Sequence, residues 1–112
     1  MEEIEIFTDG ACRGNPGLGG WGALIRKDGE ESSLWGGEKD TTNNRMEMEA
    51  AIKGLESIID SSNITITTDS NYLKDGITQW LEGWKKKGWK TAAKKPVKNK
   101  DLWMRLDELS QF

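Results

Sequence analysis

No histidine occurs anywhere in the 112 residues. A Ser-His nucleophile pair and a His-ligated zinc site are therefore both excluded. Cysteine occurs once, at Cys12, which excludes an internal disulfide and fits a reducing cytoplasm. No apolar run approaches the length that crosses a bilayer, so no membrane role is expected, and the acidic start Met1-Glu2-Glu3 does not read as a secretion signal. A mean hydropathy of −0.72 reads as a soluble chain. Its length suits a single domain over 1–112 with a modest core.

Positive charge is scarce except in one place. Residues 83–100 hold eight lysines (85, 86, 87, 90, 94, 95, 98 and 100) and no acid. The rest of the chain carries eight basic residues against nineteen acidic ones, a net of −11. A solvated lysine-rich loop is the plain reading of such a run. A docking surface for a polyanion is the sharper one, because an evenly solvated surface does not gather its positive charge into one arm.

Along the chain, Ile4 and Ile6 alternate with Glu3, Glu5 and Phe7, which predicts a strand with one buried face. The glycine-rich stretch 10–20 lacks the G-x-x-x-x-G-K-[ST] pattern and leads into no helix, so it reads as a tight loop rather than a phosphate-binding loop. A second strand is expected over 21–26, a hairpin turn at Asp28-Gly29, and a third strand over 31–38. The period then changes. Met46, Ala50, Ala51, Leu55, Ile58 and Ile59 recur at spacings of three and four, an amphipathic helix over 42–59 with Thr42, Asn43 or Asn44 as cap. The β-branched run 64–68 predicts a strand that pairs in parallel after this crossover. Short helices toward Ile77 and over 78–84, the basic arm, and a last helix over 99–110 complete the order. The expected fold class is a mixed α/β (α+β) domain: three antiparallel strands plus a parallel strand, flanked by helices.

Three of the acids stand out by position. Asp9 and Asp69 each close a predicted strand, and Glu47 opens the first long helix. Sites form at the C-terminal ends of parallel strands. Bare carboxylates gathered there repel one another and raise a pKa, which a divalent cation relieves. Oxygen-only ligands favour Mg²⁺ or Mn²⁺ over zinc. Each acid also has a purely structural reading. Asp9-Gly10 suits a turn, Glu47 suits a capping box with Asn44, and Asp69-Ser70 suits a helix N-cap.

The company these acids keep decides between the readings. Ile6-Phe7-Thr8-Asp9-Gly10, Gly14-Asn15-Pro16-Gly17, Thr41-Thr42-Asn43-Asn44-Arg45-Met46-Glu47 and Thr68-Asp69-Ser70 resemble the type 1 ribonuclease H pattern nearly letter for letter. So do Gly76-Ile77-Thr78-Gln79-Trp80, Trp84-Lys85-Lys86-Lys87-Gly88-Trp89-Lys90, Lys95-Pro96-Val97-Lys98-Asn99 and Asp101-Leu102-Trp103. The resemblance covers nearly the whole chain. It implies an endonuclease that cuts the RNA strand of an RNA–DNA hybrid with two Mg²⁺ ions, Mn²⁺ being the substitute, and leaves 5′-phosphate products. Asp9, Glu47 and Asp69 would then be the catalytic, metal-holding residues. Asn15, Asn43 and Asn71 match contacts to the hybrid's minor groove. Thr42 and Asn43 match a pocket for a DNA-strand phosphate. Residues 80–98 match a basic protrusion, in which Lys85, Lys86 and Lys87 would supply phosphate affinity and Trp84 would pack on deoxyribose. Trp80, Trp89 and Trp103 read as core or scaffold.

Two departures from the family pattern carry expectations. Asp40 stands where the family often has a base, so phosphate gripping there is expected to be weaker. In the family the pattern also continues past the position of Phe112 with a strand, a loop bearing a histidine, and a helix bearing a fourth metal-binding aspartate, and these are not in the sequence. Activity is then expected to fall, to need more metal or to depend on a replacement. Asp101, Asp107 and Glu108 are the acids nearest to hand, on a helix with no obvious reach to the site. The strand 64–68 is expected at a sheet edge, open to a homodimer or to a separate C-terminal piece. A non-catalytic hybrid-binding module, and a fragment needing a complement, are the alternatives to an enzyme.

Overall fold

The computed structural model describes residues 3–14, 16–58 and 63–109. Strands β1 (Glu3–Gly14), β2 (Gly17–Lys27) and β3 (Glu30–Thr41) precede helix α1 (Asn43–Glu56) and strand β4 (Asn63–Thr67). Helices α2 (Asn71–Asp75) and α3 (Leu81–Lys86) are joined by a π-helical turn (Gly76–Trp80), and α4 (Lys100–Leu109) follows the lysine arm. The sheet order is β3-β2-β1-β4, with β1, β2 and β3 antiparallel and β4 parallel to β1. This is the mixed sheet that the change of period predicts, with β4 at an edge among the described strands.

The strands are longer than alternation alone indicates. The stretch that reads as a glycine-rich loop is mostly sheet, with β1 and β2 paired from Ile4↔Lys27 to Gly14↔Gly17. Glycine is needed there for close approach. A Cβ on Gly19 would stand 2.5 Å from Thr41 Cγ2, and one on Gly37 would stand 2.8 Å from Gly19 O. Helix α1 begins where Thr42 Oγ1 accepts the Arg45 amide at 3.2 Å, the cap that a threonine in extended conformation supplies. Its apolar side (Met48, Ala51, Ile52, Leu55) buries against Ile4, Ile6, Ala23 and Ile25 of the sheet, and the buried Met46 lies over Gly10 and Gly19. The expected end of this helix at Ile59, the break at 60–62, and Ser110 lie outside the described residues.

A second part of the core surrounds Trp103, which is fully buried on α4 with Leu102 and Leu106. Its ring lies 5.3 Å from that of Tyr72 and 5.4 Å from that of Trp84. Any side chain at Gly76 would collide with it, which is why the π turn carries glycine there. Trp103 is scaffold, and Trp89 packs half-buried against the core. Trp80 differs from expectation, because it is 37% exposed at the surface.

Candidate active site

Strand β1 runs past its parallel partner. The last β1–β4 pair is Phe7↔Thr67, so Asp9 and Asp69 each sit two residues beyond it, on neighbouring chains at the same end of the sheet. Asp9 is within β1 rather than at its end or in a turn, because pairing with β2 continues through Asp9↔Gly22. Ser70, not Asp69, caps α2, its Oγ accepting the Leu73 amide at 3.1 Å. Glu47 lies in the second turn of α1, and the cap is Thr42, so Glu47 is no capping-box partner of Asn44. None of the three acids is used as the local chain chemistry would have used it.

Glu47 is nonetheless held. Its Oε1 accepts the Gly10 amide at 3.1 Å, and its Oε2 accepts the Thr68 hydroxyl at 3.5 Å. Thr68 Oγ1 in turn accepts the Ser70 amide at 3.1 Å, tying Glu47 to the turn that bears Asp69. Burial pushes the Glu47 carboxyl above the usual range; the Gly10 bond opposes this, and the charges of Asp9 and Asp69 add to it. Glu47 is 7% exposed, whereas Asp9 and Asp69 face solvent. Among the described residues no lysine or arginine pairs with any of the three.

A buried carboxylate that feels two further acidic charges, with no described cationic side chain paired to it, suits a divalent cation. The all-oxygen donor set of Asp9, Glu47 and Asp69 suits Mg²⁺ or Mn²⁺. Among the described residues no three acids stand close enough to grip one ion. Asp101, Asp107 and Glu108 do not join them: Arg45 holds Asp101 at 2.8 Å, Lys85 holds Asp107 at 3.2 Å and Arg105 holds Glu108 at 3.2 Å.

The other sequence-predicted residues fall around this cluster. Thr42 caps α1, and Asn43 and Asn71 are the exposed first residues of α1 and α2. Asn15 lies outside the described residues. The lysine arm is ordered rather than a free loop: Val97 N donates to Trp89 O at 3.1 Å, Thr91 N to Lys95 O at 2.7 Å, and Lys90 bridges Pro96. Trp84, half-buried, lines a hollow of about 300 Å³ with Gln79, Trp80, Lys87, Lys90 and Thr91. Lys86 and Lys87 are exposed, while the ammonium of Lys85 is spent on Asp107 and Glu82. Sequence reading missed Gly10 and Thr68, the two groups that orient Glu47. It also placed Trp80 in the scaffold, because a tryptophan at helical spacing gives no sign of which side it faces.

The RNase H family model matches residues 1–111. A ribonuclease H of Hydrogenovibrio crunogenus is 65% identical over 111 residues, spanning 99% of this chain and 77% of that one. Among solved structures, LC9-RNase H1, described as a type 1 RNase H with the type 2 active-site motif, superposes with a TM-score of 0.85 at 29% identity, over 98% of this chain and 58% of that one. LC11-RNase H1, solved in complex with an RNA/DNA hybrid, superposes with a TM-score of 0.66 at 26% identity, over 95% of this chain and 75% of that one. The chain thus belongs to the RNase H family of enzymes.

Proposed function

We propose that residues 1–112 form one domain that hydrolyses the RNA strand of RNA–DNA hybrids, leaving 5′-phosphate ends. The observation that carries this is the trio Asp9, Glu47 and Asp69: the first and last lie at the end of the only parallel strand pair among the described residues, both charges act on the buried Glu47, and no described cation pairs with any of the three. The RNA/DNA complex of a relative in the same family supports the choice of substrate. Asp9, Glu47 and Asp69 would hold two Mg²⁺ ions, or Mn²⁺ in their place, which when bound supply Lewis acidity that sharpens an attacking water and neutralises the departing 3′ oxygen.

The chain's own groups do the rest. Gly10 and Thr68 fix one carboxylate, so only two side chains need ordering when substrate and metal arrive. Asn43 and Asn71, with Asn15, would read the minor groove, where the 2′-OH separates RNA from DNA. Thr42 and Asn43 would meet a DNA-strand phosphate. Trp84 and Trp80 would offer aromatic surface to deoxyribose, and Lys86, Lys87 and Lys90 would supply salt-dependent affinity. Lys85 would brace α3 against α4 instead of gripping phosphate.

A labelled hybrid tests this. Wild type is expected to cut only the RNA strand, in Mg²⁺ or Mn²⁺, and Asp9→Asn to be inert. Equal degradation by both proteins would assign the activity to a contaminant, and salt-sensitive binding without cleavage at any metal level would select the non-catalytic module.

The place of β4 supports a further reading. Its β-branched edge suits pairing with a second copy of the chain or with a separate strand. Sizing or light scattering at micromolar concentration would show a dimer, and a monodisperse monomer would count against it. A cytoplasmic site of action fits the single cysteine, and no described helix is long and apolar enough to cross a membrane.

A further inference from the structure

Arg45 stands two residues before Glu47 on α1, yet its guanidinium reaches across to the base of the lysine arm. Nη1 and Nη2 fork onto the two oxygens of Asp101 at 3.0 and 2.8 Å, and Nη1 also donates to Asn99 Oδ1 at 3.2 Å. Asn99 is where the arm turns into α4: its φ is 59°, and its carbonyl accepts the amides of Leu102 and Trp103 at 3.1 and 3.0 Å. Its side-chain amide continues the thread, donating to Tyr72 OH at 3.2 Å, an oxygen that also accepts Trp103 Nε1 at 3.3 Å. One polar chain therefore joins the site end of α1, the exit of the arm, and the start of α2 beside Asn71.

The side chains of Arg45 and Asp101 are 30% and 64% exposed, and a pair so wet adds little to stability. What a planar, two-pronged guanidinium–carboxylate contact fixes is orientation, and a lysine in its place could not reproduce it. We infer that Arg45 is a positioning residue whose fork onto Asp101 sets the angle and distance between the lysine arm and the carboxylate trio, and so the number of hybrid phosphates the arm engages. This rests on the hybrid reading above. It also separates Arg45 from its neighbours Thr42 and Asn43: its charge is committed within the protein.

The test uses the whole chain, following hybrid cleavage across a salt series with thermal melting alongside. Asp101→Asn and Arg45→Lys are each expected to raise KM roughly threefold to tenfold and to flatten its log–log salt dependence by about 0.9 for each phosphate the arm no longer reaches. The value of kcat should hold, and Asp101→Glu should restore the slope. An unchanged salt slope in both variants, with or without a lower melting temperature, would reduce the fork to ordinary structure. A loss confined to kcat would place Arg45 in the chemistry. Either result overturns the inference while leaving the hybrid reading intact. A wild type that neither binds nor cuts hybrid in the same assay overturns both.

Discussion

The backbone N–H of Gly10 donates to Glu47 Oε1 at 3.1 Å, joining β1 to α1 across 37 residues of sequence. A Cβ at Gly10 would stand 2.5 Å from Glu47 N and 2.6 Å from Met46 C, so the helix sits on bare backbone. Gly10→Ala is expected to cost about 1–3 kcal/mol by overpacking. Cleavage should fall further than the stability loss alone implies, because the displaced helix carries Glu47. Thermal melting, with activity measured where the variant is still folded, checks both parts.

Glu47 makes stability depend on pH in a stated direction. Burial first, then the charges of Asp9 and Asp69, outweigh the Gly10 and Thr68 hydrogen bonds and raise its pKa on folding. The native chain therefore binds the proton more tightly than the unfolded chain. This group's contribution favours folding below the ordinary glutamate pKa and is lost as pH rises through the raised value. Glu47→Gln should remove that loss. In metal-free buffer at neutral pH the variant should be more stable than wild type, by on the order of 1 kcal/mol, while being inactive. Melts of both proteins from acid to neutral pH would show the two curves diverging as pH rises, and parallel curves would contradict it.

Metal should reverse the same penalty. Mg²⁺ at about one hundred times its Kd stabilises a protein by roughly 2.7 kcal/mol through mass action. Wild type is expected to gain melting temperature with Mg²⁺, and Asp9→Asn and Asp69→Asn to gain little. Equal gains in all three proteins would mean the ions bind elsewhere.

The aromatic groups divide by role. Trp103→Ala should cost about 3–5 kcal/mol, because its ring fills the space between Tyr72, Trp84 and Gly76. Trp80→Ala opens no comparable cavity, since that ring is 37% exposed. It should instead raise KM for hybrid by about tenfold, the scale of removing one aromatic ring from beside a nucleotide. Comparing melting with KM in each variant separates scaffold from surface.

Sheet topology and helix α1 were legible because period-two and period-3.6 patterns meet at a sharp boundary near Thr42. The parallel placement of β4 followed from the crossover, and that placement brings Asp9 and Asp69 to one end of the sheet. What stayed hidden depended on distance in three dimensions. Residues 10–20 read as loop because glycine favours turns, whereas here it admits close packing against Thr41 and Met46. Glu47 fitted a capping box as well as a site, and the choice of Thr42 as cap removes the capping-box reading. The ion pairs of Lys85, Arg45 and Asp101 join residues far apart in sequence, which no local pattern announces.

Crystals grown with Mn²⁺ and examined by anomalous scattering would show directly whether Asp9, Glu47 and Asp69 share a metal. A peak within coordination distance of Asp9, Glu47 and Asp69 carboxylate oxygens, with the Asp9 and Asp69 side chains turned inward, is the predicted result. A fully active protein whose Mn²⁺ lies elsewhere, with those carboxylates still facing solvent, would contradict it.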